Sequence, residues 1–332
     1  MKVLLLAEFD SSARRLLESE WDVREAGWAV TDSVITALPS DDEILALASD
    51  VAAIIVPGEL STRVMAGCPE LRVIGCCRGD PRGIDLEFAS RRGIAVVYAP
   101  ARNAASVADL TLAFILCLAR QLLQADAFVR GGYWTSWDAL FRTTLTNGLE
   151  LEGQRLGLVG CGAVGSQVAR RANAFGMRVQ GYDPYCSSEQ LALLGIEKAS
   201  LDDVLRESDF VSIHCKLSAE TTGLIGAEQL AQMKPTAYLI NTARAAIVDK
   251  AALYSALVQK KIAGAALDVF WQEPPLLGRP FLDIPEVVLT PHIGGATVAV
   301  EPRTARMIVQ GVMAVLRGER PDHLANPEVW KK

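Results

Sequence analysis

The stretch "RLGLVGCGAVGSQVARRANAFGMRVQGYD", residues 155–183, decides how this chain is to be read. It opens on an apolar run of strand character and carries Gly160, Gly162 and Gly165 in a G-x-G-x-x-G pattern. It then passes into "SQVARRANAF", which has helical periodicity, and a second apolar run, "MRVQGYD", ends in Asp183. With 26 glycines in the chain the triplet alone would be weak, so the context carries the argument. Strand, glycine turn, helix and a second strand ending in an acid about 20 residues on make up a dinucleotide-binding fingerprint. Gly160 permits the tight turn, Gly162 lets the backbone approach a pyrophosphate, and Gly165 lets the helix pack close to the strand. The pyrophosphate would meet the free amides and positive dipole end of the helix starting at Ala163 and Val164. Asp183 would accept the adenosine ribose hydroxyls and repel a 2′-phosphate. Pro184 and Tyr185 follow it and bring no cation, so NAD is expected over NADP.

Outward from this stretch the same rhythm continues. "KVLLLA", "AAIIVP", "LRVIGC" and "IAVVYA" read as strands before it, and "FVSIHC", "AYLINT", "AGAALDV" and "EVVLTP" read as strands after it. Helical patterns such as "SSARRLLES" and "KAALYSALVQKK" lie between them. Apolar strands alternating with helices predict the α/β class, with doubly wound parallel sheets covered on both faces. A length of 332 residues favours two domains. Segment 131–150 breaks the rhythm and reads as an arm or connector; the insert around Trp134, Trp137, Phe141 and Arg142 could shape the pocket or a dimer, but its aromatics are expected to be packed inside. The last helical stretch, 297–318, returns after the final strand and is expected to pack on the first domain. The formal net charge of −6 gives no support to a nucleic-acid or membrane-surface partner. Seven cysteines in no regular framework, and an opening "MKVLLLAEF" only one strand long, point to reduced thiols in the cytoplasm. The longest apolar run, residues 110–119, suits a buried helix rather than a membrane span.

In open α/β sheets ligands gather beyond the carboxyl ends of strands. Three such ends carry polar groups here: Arg244 after "AYLINT", Asp268 and Glu273 after "AGAAL", and His292 after "EVVLTP". Singly each would be an ion pair or a turn residue; together, in order and behind the fingerprint, they suggest one chemistry. The arginine would hold the carboxylate of a 2-oxo acid through paired hydrogen bonds. The histidine would protonate the oxygen as hydride reaches carbon, or take that proton back, and the glutamate would orient the imidazole and stabilise its charged form. His214 either lines the cofactor pocket or caps the sheet, and His323 in the polar tail reads as structural.

The motifs "GLVGCGAVG", "NTARAAIVD", "ALDVFWQEP" and "TPHIGGAT", with "SVADLTLAFILCLAR" and the tail "LANPEVW", resemble the NAD-dependent D-2-hydroxyacid dehydrogenase family, in its phosphoglycerate dehydrogenase-like branch. The resemblance covers nearly the whole chain. It implies a Rossmann-like NAD-binding domain, 102–296, inserted into a flavodoxin-like substrate-binding domain, 1–101 and 297–332, and a homodimer. It implies that Arg244 binds the substrate, that His292 is the acid/base with Glu273 as its partner, and that Asp268, Thr242 and His214 sit near the cofactor; no metal is implied. The expected activity is hydride transfer between NAD(H) and a D-2-hydroxy acid or 2-oxo acid, with a small molecule as the partner. The alternatives are a catalytically weak, NAD-sensing corepressor-like protein on the same scaffold, and a formate- or phosphonate-oxidising member. Departures from the family pattern are Ala245 in place of the glycine after the arginine, Lys216 in place of a proline, and Pro57-Gly58-Glu59 where phosphoglycerate enzymes tend to carry a basic residue. The chain's end at 332 leaves no room for the regulatory domain of longer members.

One loop, "CCRGDPRGID" (76–85), invites competing readings: a thiol pair for redox or metal chemistry, an adhesion tripeptide, or an anion cradle. Cys76 and Cys77 lack a second pair at metal spacing, and nothing suggests an extracellular setting for Arg78-Gly79-Asp80. The cradle remains. By the resemblance, this loop's amides meet the substrate carboxylate, which makes Arg78 and Gly79 candidate substrate contacts. If Arg78 enters the cleft, a substrate with a second acidic or hydroxylated end is expected.

Overall fold

β-Branched and leucine-rich runs form strands whose alternate residues point to opposite faces, so a strand that is apolar throughout needs cover on both. That requirement shapes the chain. A computed structural model describes all residues except 8, 27–29, 32, 33, 36–38, 276–280, 331 and 332. The chain divides into two units: Met1–Arg102 with Thr297–Lys332, and Asn103–Ala296.

The first unit is built on β1 (Lys2–Leu5), β2 (Asp22–Glu25), β3 (Ala53–Val56), β4 (Val73–Cys76) and β5 (Ala95–Tyr98), all parallel, in the spatial order β2-β1-β3-β4-β5. This is the flavodoxin-like order. Leu4, Ile54, Ile74 and Val96 point to one face, against Ile44, Val64, Met65 and Ala89. Val3, Leu5, Ile55 and Val97 point to the other, against Ala13, Leu17, Ile308, Val309 and Val312. The returning helix Val300–Arg317 supplies much of that second cover. Each large apolar side chain so buried contributes about 1.5–3 kcal/mol.

The second unit has β6 (Arg155–Val159), β7 (Arg178–Tyr182), β8 (Glu197–Lys198), β9 (Phe210–Ile213), β10 (Tyr238–Asn241), β11 (Gly264–Leu267) and β12 (Val287–Leu289). They run parallel in the order β8-β7-β6-β9-β10-β11-β12, the dinucleotide-binding 3-2-1-4-5-6 arrangement with a seventh strand added. The expected fold class of two doubly wound parallel sheets is what the chain adopts. Leu156, Leu158, Phe210 and Ile240 pack against helices Ala104–Ala119 and Ala163–Ala174. The apolar run at 110–119 lies in the first of these and is mostly buried. Among the described residues no single helix is long and apolar enough to cross a membrane.

The arm differs from expectation. It folds as the short helix Trp137–Phe141 and a 3₁₀ turn at Thr144–Thr146, and its aromatics are not packed inside the chain. Trp134, Trp137 and Phe141 are 50%, 66% and 67% exposed, and the two indoles meet edge to face at 5.6 Å. A five-residue helix is too short to bring a whole apolar face onto a core, and the rings meet one another along the arm, Trp137 also lying 6.4 Å from Phe141.

Candidate active site

The glycine loop closes between β6 and helix Ala163–Ala174. Gly160 adopts a φ of +96°, and a side chain there would stand 2.5 Å from the Cys215 amide nitrogen. At Gly165 a Cβ would overlap the Gly160 carbonyl oxygen, so helix and turn approach more closely than any other residue allows. Gly162, the helix N-cap, faces open space, and no side chain caps the helix there. The first amides of a twelve-residue helix therefore point outward without an internal partner, as an anion site requires.

Asp183, just past the end of β7, accepts the Cys161 amide on Oδ2 and the Tyr185 amide on Oδ1, each at 2.9 Å. This fixes the carboxylate against the glycine loop, and a carboxylate with two bonds made retains lone pairs for ribose hydroxyls. His214, just past the end of β9, shares a 2.8 Å hydrogen bond between Nε2 and Ser212 Oγ, while its shielded Nδ1 has no partner. Burial pushes its pKa down to about 3, which keeps the ring neutral. Open space at Gly162, uncapped amides, a fixed carboxylate and an orphaned buried nitrogen together fit a dinucleotide.

The strand ends beyond β10, β11 and β12 hold the remaining candidates. Asn241 is buried; its side chain accepts the Ala243 amide and donates to the Arg244 carbonyl, both at 3.0 Å, bracing the turn that presents Arg244. Arg244 itself is exposed, with one guanidinium nitrogen on the Ala243 carbonyl at 2.7 Å. Thr242 is buried beneath, its hydroxyl 3.2 Å from that of Thr111.

Asp268 is only 1% exposed, and both its oxygens are engaged. Oδ1 accepts the Thr290 hydroxyl at 2.5 Å and the Ile293 amide at 2.8 Å, and Oδ2 accepts the Gly294 amide at 2.8 Å. Its carboxylate thus grips the loop that carries His292. That residue has a φ of +57°, a conformation costing about 1–3 kcal/mol in a non-glycine residue, and the loop bonds over-determine it. His292 Nδ1 lies 2.7 Å from Glu273 Oε2, and Glu273 Oε1 accepts the Phe270 amide at 3.0 Å. Burial works to raise the Glu273 pKa. The His292 bond, the Phe270 amide and the charges of His292 and Arg244 outweigh it and leave the carboxyl below its ordinary value. Among the described residues Nε2 of His292 has no hydrogen-bond partner, and the side chain is 44% exposed.

Arg244, Glu273 and His292 thus come together at adjoining strand ends, with His214 and Thr242 on neighbouring strands of the same sheet. Arg78 and Gly79 belong to the first unit, both exposed on the loop after β4. In that loop burial pushes the Cys77 thiol up to about 12 and the Cys76 thiol above its ordinary value, so neither is a thiolate, and Asp80 is paired with Arg82 at 2.7 Å. Sequence reasoning missed Asn241 and Thr290. The available signal was a polar residue closing an otherwise apolar strand.

The model of the D-isomer specific 2-hydroxyacid dehydrogenase NAD-binding domain matches residues 112–294. A glyoxylate reductase of Korarchaeum cryptofilum is 39% identical over 89% of this chain and 89% of that protein. A D-3-phosphoglycerate dehydrogenase of Methanocaldococcus jannaschii is 35% identical over 98% of this chain and 59% of that protein. A crystal structure of a Thermus thermophilus protein superposes with a TM-score of 0.78 at 35% identity, covering 98% of this chain and all of that one. With the fingerprint, the sheet order and these likenesses in agreement, the chain belongs to the D-isomer specific 2-hydroxyacid dehydrogenases, oxidoreductases acting on CH–OH groups with NAD as cofactor.

Proposed function

We propose that the enzyme interconverts a small 2-oxo acid and its D-2-hydroxy acid, with Arg244, Glu273 and His292 as its working side chains. The observation that carries this reading is the 2.7 Å contact between His292 Nδ1 and Glu273 Oε2, with Nε2 unpaired among the described residues. Bound NADH supplies the hydride. Arg244 grips the substrate carboxylate through its planar fork of donors and polarises the carbonyl beside it. His292 Nε2 gives its proton to the carbonyl oxygen as that oxygen becomes an alkoxide, and in the oxidation direction takes it back. Glu273 keeps the proton on Nδ1, so the tautomer left after transfer is the one that can be reprotonated on Nε2. Asp268 acts as a positioning residue by holding the 290–294 loop. His214, neutral and buried, is poorly suited to proton transfer and reads as a cofactor-pocket residue with Thr242. The helix start at Gly162, Ala163, Val164 and Gly165 receives the pyrophosphate and Asp183 the ribose.

In the same reading the first unit binds substrate, with Arg78 and Gly79 in its loop, and the protein is a cytoplasmic homodimer. The exposed Trp134, Trp137 and Phe141 support a second copy covering the arm, since aromatic side chains anchor interfaces. Seven free cysteines suit a reducing compartment.

The test follows NADH absorbance with glyoxylate, hydroxypyruvate, 2-oxoglutarate and phosphorylated 2-oxo acids. Turnover of at least one is expected, and His292→Ala should lower its rate by ~10²–10⁴. A loss under tenfold would remove His292 from proton transfer. Tight NADH binding with no turnover of any 2-oxo acid would instead favour a cofactor-sensing protein.

A further inference from the structure

The amino ends of β4 and β5, neighbours in the first sheet, border a cavity of about 460 Å³. All of its lining belongs to the first unit: Glu70, Leu71 and Arg72 before β4, Arg92 before β5, Val315 near the end of the helix Val300–Arg317, and Trp330 in the tail. Its size is that of small-molecule sites. β4 is four residues long, so about 13 Å of strand separates this end of the sheet from the loop after Cys76. Ligands of such sheets gather at the carboxyl ends, so a cavity at the amino ends is a place apart from the substrate loop.

Backbone bonds fix where the two arginines leave the sheet. The Ala95 amide donates to the Arg72 carbonyl at 2.9 Å, and the Arg72 amide donates to the Ala52 carbonyl at 2.9 Å. Arg92 closes the helix Leu86–Arg91 and gives Nη1 to the Ala66 carbonyl at 3.3 Å. Arg72 Nη1 meets the Met1 sulfur at 3.5 Å, and a thioether is a weak acceptor. Among the described residues neither guanidinium pairs with a carboxylate, and each has five N–H donors to satisfy. Glu70 is the only carboxylate among the lining residues, which sets two cations against one anion.

The tail supplies a ring. Asn326 is buried; it accepts the Val96 amide and donates to the Ile94 carbonyl, both at 2.8 Å, and so pins the tail to β5. The turn Pro327–Trp330 follows at once and brings the half-buried indole to the cavity. Among the described residues the indole N–H has no hydrogen-bond partner. Leu71 and Val315, both buried, extend the apolar wall. An indole with apolar neighbours takes a planar ring, and guanidinium groups take a carboxylate or a phosphate.

We propose that this cavity is a second ligand site, which takes a planar aromatic anion with its ring against Trp330 and its phosphate or carboxylate on Arg72 and Arg92. The site lies wholly within the first unit and takes no part in hydride transfer, so it stands independently of the function proposed above. Glu70 sets its selectivity by disfavouring ligands with anionic groups at both ends.

Calorimetric titration of the full chain, saturated with NAD⁺ so that the cofactor site is filled, uses 1-naphthyl phosphate, 1-naphthoate, 1-naphthol and inorganic phosphate as probes. At least one of the two naphthyl anions should bind saturably at one site per chain, tenfold or more tighter than 1-naphthol and than inorganic phosphate. The tighter of the two identifies the anionic group. Arg72→Met and Arg92→Met, both at exposed positions, should each weaken that binding tenfold or more. Trp330→Leu, which keeps an apolar side chain and removes the ring, should weaken it at least threefold. An unchanged affinity for NAD⁺ shows that each variant is folded. No saturable binding of either naphthyl anion overturns the proposal, as does binding matched by 1-naphthol or by inorganic phosphate. An affinity unmoved by either arginine variant places the probe elsewhere and overturns it equally.

Discussion

Replacing Asp268 by Asn keeps the shape of the side chain and changes only what its second terminal atom can do. In the natural chain one carboxylate receives the Thr290 hydroxyl, the Ile293 amide and the Gly294 amide within 2.8 Å. Asparagine can keep the first two on its oxygen, but its NH₂ group then faces the Gly294 N–H, donor against donor. One charge-assisted bond, about 1.5–3 kcal/mol, is lost, and a buried amide left unsatisfied costs a further ~1–3 kcal/mol. Relief from burying a charge works in the opposite direction, so a net loss of about 2–3 kcal/mol of stability is expected. Gly294 packs close to this side chain: a Cβ there would sit 2.9 Å from Asp268 Oδ2. The strain therefore passes to His292, which is held at a positive φ by this loop. Activity should fall at least tenfold, mainly in kcat, with NADH affinity largely retained. Urea unfolding gives the stability, and single-turnover NADH oxidation gives the chemical step. An Asn variant within about 0.5 kcal/mol of the natural chain and within twofold in rate would refute the argument that this carboxylate holds the loop.

Gly165→Ala forces a methyl group toward the Gly160 carbonyl, so NADH affinity, read by fluorescence quenching, should weaken tenfold or more; an unchanged Kd would contradict the close approach. If a second copy covers the arm as proposed, the natural chain should sediment as a dimer and Trp134→Ser with Trp137→Ser as a monomer; a monomeric natural chain, or a dimer that persists in the variant, would remove the arm as an interface. His214 resists protonation in the folded chain, its pKa lowered from 6.5 to about 3, whereas the unfolded chain takes up that proton near 6.5. The unfolded state thus binds more protons between those values, and stability should fall with decreasing pH across that window by up to ~1.4 kcal/mol per unit. His214→Gln should flatten that slope in urea titrations at pH 7 and pH 5. An unaltered slope would show that the ring is not the buried neutral group described.

How much of this was legible in the sequence follows from how local each feature is. The glycine turn and the alternation of strand and helix are short-range patterns, because strand and helix periods and the space allowed by a missing side chain act within a few residues. They determined the class of fold and the cofactor. The residues proposed to do the chemistry, Arg244, Glu273 and His292, could be picked out as candidates, since each lies three to six residues beyond the carboxyl end of an apolar strand.

Other features depended on residues far apart in the chain. That Asp268 spends its carboxylate on the 290–294 loop depends on residues more than twenty positions away. That Arg102 is held at both its carbonyl and its side chain, by Arg303 and Thr304, depends on a helix that returns some two hundred residues later. The arm's aromatics were expected inside because large apolar side chains usually find a core; the tertiary structure gives them no core to reach. Sequence by itself determined what each strand end carries, because that is local chemistry. Only the tertiary structure decided which of those groups share a hydrogen bond, a charge or an exposed face, because it alone brings distant residues within the few ångströms over which such forces act.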